Sequence, residues 1–289
     1  MLLRTTRQLR LGRDSLRSWS SAKAVSPKPR RGGGGRGWLC GLVAGVVFAS
    51  CSGDGPGTSP TSIEPPARVL VVTHTEGFRH SSIPIAEATI TDLGRRANLF
   101  STTFCRTAAD VATMLTPSGL TGIDAIVFAN TTGSLPIRDL PAVLNWIADG
   151  HGFAGMHSAS DTYHDAPAYI DMLGNEFRTH GDQAAVDAIV ETPSHPASSP
   201  LGERFHVFDE IYKFTAPNRG MVTMLLSLDR HPLDGLPEAG QPGDLPLAWA
   251  KDYGRGRVFY TALGHREDVW QNALYQQHIL GGIRWVLRR

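Results

Sequence analysis

The segment RVLVVTH, residues 68–74, is apolar at almost every position and ends in polar residues. An unbroken apolar run of this length predicts a strand covered on both faces of a parallel sheet, because alternation appears only where one face meets water. Three similar runs follow it: LFSTTF (99–104), DAIVFAN (124–130) and GFAGMH (152–157). Between them the period changes. Ile83, Ala86, Ile90 and Leu93 recur at helical spacing in IPIAEATITDLGRRA, with Ser81 or Ser82 placed to cap the helix. Residues 108–115 predict a short helix, and LPAVLNWIADG a longer one stopped by Gly150. The alternation of strand and helix predicts an α/β fold: a parallel sheet with helices on both faces and a ligand crevice at the strands' carboxyl ends.

The second half has a different rhythm. AAVDAIVET, RFHVFDEIYKF and MVTMLLSL predict strands, and LPLAWAKDY with GRVFYTALG predicts a hairpin turning at Gly254-Arg255-Gly256. The last segment, ALYQQHILGGIRWVL, places Leu274, His278, Ile279, Ile283, Trp285 and Val286 on one apolar arc and predicts a closing helix despite two glycines. Antiparallel additions in the C-terminal half are therefore expected, within one domain over residues 68–289.

What precedes that domain does not have the pattern of a fold. Residues 52–67, SGDGPGTSPTSIEPPA, offer almost nothing to bury, so 51–67 predicts a flexible linker. Residues 1–50 hold ten Lys or Arg against the single acid Asp14, then the apolar stretch GLVAGVVFAS, too short to span a bilayer. Phe48-Ala49-Ser50-Cys51 resembles the lipoprotein box, with Cys51 the lipidated residue. The leader then delivers an exported protein, lipid-anchored on the bacterial cell envelope; an ordinary cleaved signal or an uncleaved anchor is the alternative. Residues 51–289 keep 18 of the 28 basic and 26 of the 27 acidic residues, a formal charge of −8. Acidity of this kind, with no basic stripe, speaks against nucleic-acid binding and leaves neutral polar ligands. Cys105 is the lone cysteine after Cys51, so no intrachain disulfide and no CxxC metal site is expected.

Candidate chemistry gathers at the strand tips. THTEGFRHSS, ANTTGS and MHSASDTYHD end strands one, three and four, and the switch-point rule makes their loops converge. Asn130, Thr131, Thr132 and Ser158 carry groups suited to a polyhydroxylated ligand, although Asn and Thr also serve as loop caps. Ser81 and Asp161 lie in the same loops. His157 occupies the apex of a strand-to-helix turn where a nucleophile is often displayed. It can be a general base, a metal ligand, an oriented donor or a structural residue. His80, His180, His195 and His265 come from other loops and raise the prospect of a shared site. Neither HxH nor HExxH spacing occurs, which speaks against a metal motif, although a divalent metal stays open. In FDEIYKF, read as one continuous strand, Asp209 and Glu210 face opposite sides; the more enclosed carboxylate suits acid or base work, or pairs with Arg79 or Arg178. Trp249, Tyr253 and Trp270 are either sugar-stacking surfaces or core.

The blocks VLVVTHTEGFRHSSI, FANTTG, GHGFAGMHSASDTYH, YIDMLGNEFRTHG, SHPAS, FDEIYKF, LPLAWAKDYGRGRVFYTALGH and HILGGIRWVL, in this order, resemble the ThuA-like, trehalose-utilisation family over about residues 68–288. The resemblance implies a flavodoxin-like sheet of the class I glutamine amidotransferase type. His157 stands where those enzymes carry cysteine, so amidotransferase activity is not expected. It further implies a sugar ligand, a disaccharide or 3-keto glycoside, and a sugar oxidoreductase as partner. Acid/base chemistry by His157 with Glu210 or Asp209, without a cysteine nucleophile, is the expected mechanism. His80, Ser81, Asn130, Thr131, Thr132, Ser158, Asp161, His180 and His265 would contact substrate. A non-catalytic carbohydrate-binding surface lipoprotein is the alternative.

Overall fold

The chain's first continuous apolar run becomes β1 (Ala67–Val72), followed by α1 (Ile83–Arg96), β2 (Phe100–Cys105), α2 (Ala108–Met114), β3 (Ala125–Ala129), α3 (Leu140–Ala148) and β4 (Gly152–Met156). Then come α4 (Pro167–Leu173), β5 (Phe177–His180), β6 (Ala184–Val190), β7 (Arg204–Asp209), β8 (Tyr212–Phe214) and β9 (Thr223–Leu228). The hairpin strands β10 (Leu245–Tyr253) and β11 (Gly256–Thr261) and the helices α5 (Glu267–Gln271) and α6 (Ala273–Val286) complete the order. This computed structural model describes residues 65–216, 219–232 and 245–289; Cys51, the leader and residues 51–64 of the expected linker lie outside them. Among the described residues no helix is long and apolar enough to cross a membrane.

One nine-stranded sheet runs β2-β1-β3-β4-β11-β10-β9-β6-β7. Its first five strands are parallel, and β10, β9, β6 and β7 extend it antiparallel, as the second-half pattern predicts. The parallel half has the flavodoxin-like order, which reverses direction between β1 and β3, the place where such sheets carry their ligand crevices. Leu70, Val71 and Val72 are wholly buried, each contributing about 1.5–3 kcal/mol relative to an exposed side chain.

Helices cover both faces. Along β4 the side-chain direction alternates, so a Cβ on Gly152 would meet Val286 of α6, and one on Gly155 would meet Leu173 of α4. The two glycines of α6 allow close packing: a Cβ at Gly281 would fall 2.1 Å from the Pro196 carbonyl oxygen, and one at Gly282 would strike the Phe259 ring. Helix α1 carries a proline in its first turn, where no N–H is missed. Its N-cap, Ser82, makes no capping bond; Ser82 Oγ instead reaches Gly264 O at 3.3 Å, across the sheet's end.

Several expectations are corrected. RFHVFDEIYKF is not one strand: β7 stops at Asp209 and β8 pairs with β5 in a separate two-stranded sheet. Strict alternation therefore fails at the corner, and Asp209 and Glu210 are both buried. Trp249 and Trp270 are wholly buried core residues, their indole N–H groups donating to Leu173 O and Gly264 O, so neither offers a stacking surface. Leu274 is exposed, outside the apolar arc assigned to it. The short elements α4, α5 and β5 had no counterpart in the pattern. Cys105 is buried and free, its thiol pushed up to about 12 by burial.

Candidate functional site

Four segments meet beyond the carboxyl ends of the parallel strands: the β1–α1 loop with His80, the tip of β4 with His157, the β7–β8 corner with Glu210, and the β11–α5 loop with His265. One potential ligand atom from each lies within 4.8 Å of all the others.

His157 has φ +51, a left-handed backbone uncommon for a side-chain-bearing residue. It opens a short 3₁₀ turn immediately after β4, so the backbone of a displayed-nucleophile turn is present with an imidazole at its apex. The Tyr260 hydroxyl donates to His157 O at 2.7 Å and holds the turn from the neighbouring strand. The ring is oriented from behind: Nδ1 lies 2.8 Å from Ala262 O, and a carbonyl can only accept, so Nδ1 carries the hydrogen and Nε2 presents its lone pair. That nitrogen faces His80 Nε2 at 3.1 Å and the Tyr212 hydroxyl at 3.0 Å, with Glu210 Oε2 at 3.6 Å.

Exposure rises outward through the cluster. The His157 side chain is 0% exposed, Glu210 9%, His265 22% and His180 44%. His157 therefore forms the floor, and substrate-sized molecules meet Glu210, His265 and His180 first. Glu210 joins the layers: Oε2 faces His157 and, at 3.4 Å, His265 Nδ1, while Oε1 lies 3.2 Å from His180 Nδ1. His265 Nδ1 is too poorly aligned for a hydrogen bond there and is otherwise unpartnered among the described residues. Phe78, 65% exposed, sets its ring edge-on to His80 with centroids 4.9 Å apart, an apolar platform at the mouth.

The charges follow from burial and neighbours. Burial, reinforced by His265 and opposed by Glu210, pushes His80 down to about 4. Burial and the adjacent His80 hold His157 well below the usual histidine range. His265 is raised, chiefly by its contact with the Glu210 carboxylate. The site thus has two neutral imidazoles inside and an imidazole favoured as its cation outside, beside a carboxylate.

Other sequence candidates hold this arrangement together. Asn130 Nδ2 donates to Ser82 Oγ and to Gly264 O, both at 3.0 Å, tying the β3 tip to two of the loops. Thr132 Oγ1 donates to Phe78 O at 2.8 Å, and Thr131 Oγ1 meets Thr162 Oγ1 at 2.8 Å. Ser158 Oγ lies 3.5 Å from His80 Nδ1, the atom able to accept from it when His80 Nε2 donates to His157. Ser81 Oγ donates to Glu267. Asp209 accepts from Gly264 N at 2.7 Å and Arg266 N at 3.3 Å, which anchors the loop bearing His265; burial raises its carboxyl to about 6 against the pull of those N–H groups. Asp161 is engaged by His164, whose other nitrogen meets Glu176.

Two expectations separate from the cluster. His195 packs against Trp285 instead. Arg79 donates to Thr73 O, while the Asp209 and Glu210 contacts are backbone N–H groups and histidines respectively. Sequence reasoning missed Tyr212 and Phe78 as site residues. The aromatic neighbour of a rim histidine, as in Gly77-Phe78-Arg79-His80, was the available signal for the second.

The family model described as ThuA, trehalose utilisation, matches residues 68–286. No curated protein matches the chain. Among solved structures the chain is similar to a ThuA-like protein from Parabacteroides merdae ATCC 43184, with 17% identity and TM-score 0.63 over 77% of this chain and 90% of that one. It is similar to a ThuA-like protein from Bacteroides uniformis ATCC 8492, with 19% identity and TM-score 0.59 over 79% and 94%. A cytoplasmic protein of Salmonella typhimurium LT2 aligns at 15% identity, TM-score 0.54, over 76% and 99%. At such identities the likeness speaks for the fold alone.

Proposed function

The chain belongs to the ThuA, trehalose-utilisation family, and from that premise we propose that the crevice takes a sugar, a disaccharide or 3-keto glycoside, and moves protons on it without a cysteine nucleophile. The observation that carries this reading is the Glu210 carboxylate, 9% exposed and set between His157, His180 and His265. A carboxylate beside an imidazole whose protonated form it favours is an arrangement suited to an acid/base pair.

On a 3-keto glycoside the carbon next to the ketone bears an acidified hydrogen. Glu210, through the oxygen facing His180, takes that proton. The electron pair moves toward the carbonyl, returns, and expels the glycosidic oxygen, which receives a proton from His265. One C–H and one C–O bond break, one C=C bond forms, and no oxidant is consumed. The reaction needs a ketone already in place, so a sugar oxidoreductase is the matching partner upstream. His157, with no exposed atom, orients His80 and Tyr212 beneath the substrate. Phe78 offers its ring to an apolar sugar face. In the same reading, export and lipid attachment at Cys51, expected from the leader's pattern, would set this chemistry at the cell envelope.

Incubation with trehalose, 3-keto-trehalose and other disaccharides, followed by calorimetry and mass spectrometry, tests the proposal. Two fragments whose masses sum to that of the keto substrate are the expected result, since elimination adds no water. Heat of binding without product contradicts catalysis and favours the non-catalytic receptor; neither heat nor product contradicts sugar recognition itself.

A further inference from the structure

We infer that His80, His157, His265 and Glu210 form a binding site for one divalent first-row transition metal ion of the zinc type. This goes beyond the sugar chemistry, with which it shares Glu210 and His265, and is tested without it.

Three imidazoles and one carboxylate, delivered by four separate segments, place a ligand atom each within 4.8 Å of one another. Ligands at about 2.1 Å from a shared ion, at tetrahedral or octahedral angles, lie roughly 2.9–3.4 Å apart. His80 Nε2 and His157 Nε2 are separated by 3.1 Å, and His265 Nδ1 and Glu210 Oε2 by 3.4 Å. Drawing the whole set onto one ion takes side-chain adjustment of about an ångström.

Hydrogen bonding alone leaves this arrangement unsettled. His157 Nε2 has one lone pair, yet His80 Nε2 and the Tyr212 hydroxyl both approach it. His265 Nδ1 is buried with no hydrogen-bond partner among the described residues. A metal ion gives His157 Nε2 a single partner and takes the place of the ill-aligned Glu210 contact at His265 Nδ1. The bond from His157 Nδ1 to Ala262 O is the outer support that fixes a ligating imidazole's tautomer. Asp209, by holding the Gly264 and Arg266 N–H groups, plays the corresponding part for the loop of His265. Imidazole-rich donor sets of this kind favour zinc and its neighbours over magnesium or calcium.

Purified protein is treated with a chelator, incubated with Zn²⁺, freed of unbound metal by gel filtration, and measured by elemental mass spectrometry. About one ion per chain is expected. Glu210→Ala and His265→Ala should each lower the affinity for Zn²⁺ at least tenfold. His206→Ala, on the exposed face of β7, should leave it unchanged. Circular dichroism separates loss of metal from loss of fold, and the part-exposed His265 keeps the test open should Glu210→Ala unfold. Replacement by Co²⁺ should give visible absorption that Glu210→Ala abolishes. Less than about a tenth of an ion per wild-type chain, or wild-type retention in both folded variants, overturns the site. The readout is bound metal, so it stands or falls separately from sugar turnover.

Discussion

Glu210→Gln is expected to lower turnover of a 3-keto disaccharide by about 10²–10⁴-fold, with substrate affinity changing far less. The amide keeps the size of the carboxylate and can still meet His180 and His265, so the cavity and its neighbours are preserved. What it loses is the ability to accept a proton. It also removes the negative charge that does most to raise His265, so the protonated form of the outer imidazole is favoured less. Both halves of the transfer are weakened together. Steady-state kinetics with wild-type and variant protein of equal helical content check it. Turnover within threefold of wild type would remove Glu210 from the chemistry.

Acidification from pH 7 to pH 5 is expected to destabilise the protein by several kcal/mol. His80, His195 and His278 are buried and each is pushed down to about 4, in every case chiefly by burial, and burial also holds His157 well below the usual histidine range. A histidine whose folded-state value is depressed stays neutral in the fold while the unfolded chain takes up a proton below about 6.5. Stability is therefore complete above that value and is lost as pH falls through the window down to about 4. At pH 5 each of the three costs about 2 kcal/mol. Asp209 works in the opposite direction, because its folded value of about 6 lies above that of a free carboxylate and protonation then favours the fold, returning about 1 kcal/mol. His265, raised by Glu210, contributes stability that is complete below about 6.5 and is lost as pH rises through its higher folded value. The inward histidines prevail, and their sum is comparable with the whole stability of an ordinary domain. Urea unfolding of chelator-treated protein at a series of pH values measures this. A midpoint unchanged between pH 7 and 5 would mean that these imidazoles are not held neutral.

The parallel half of the fold was legible because its strands are doubly covered and end abruptly in polar tips, as RVLVVTH does. The hairpin was legible from its Gly-Arg-Gly turn between two apolar runs. The corner after Asp209 was not, since FDEIYKF carries no Gly or Pro to mark the break, and only pairing with different partners ends β7 and begins β8. Helices α4 and α5 are too short to establish a period. Trp249 and Trp270 show the ambiguity of large aromatics, which fill a core or a binding surface with equal ease until packing decides. The rim loops could be named from the strand ends, and the convergence of His80 and His157 follows from the switch point; His265 joins them because β11 runs parallel beside β4. His195, also beside a turn, belongs elsewhere because its segment packs under α6, where His278 Nδ1 meets Ala197 O. Depth was illegible: nothing in MHSAS says that His157 is the floor and Glu210 the accessible layer.

All of this depends on the loop histidines and Glu210 acting as one coupled group around a buried, lone-pair-bearing His157. A nitrogen NMR titration of isotope-labelled histidine side chains in chelator-treated protein measures that directly. The account predicts a His157 that stays neutral with its hydrogen on Nδ1 across pH 5–8, a depressed His80, and an elevated His265 that returns toward the ordinary range in Glu210→Gln. Independent titration of all three near 6.5, unmoved by the substitution, would contradict it.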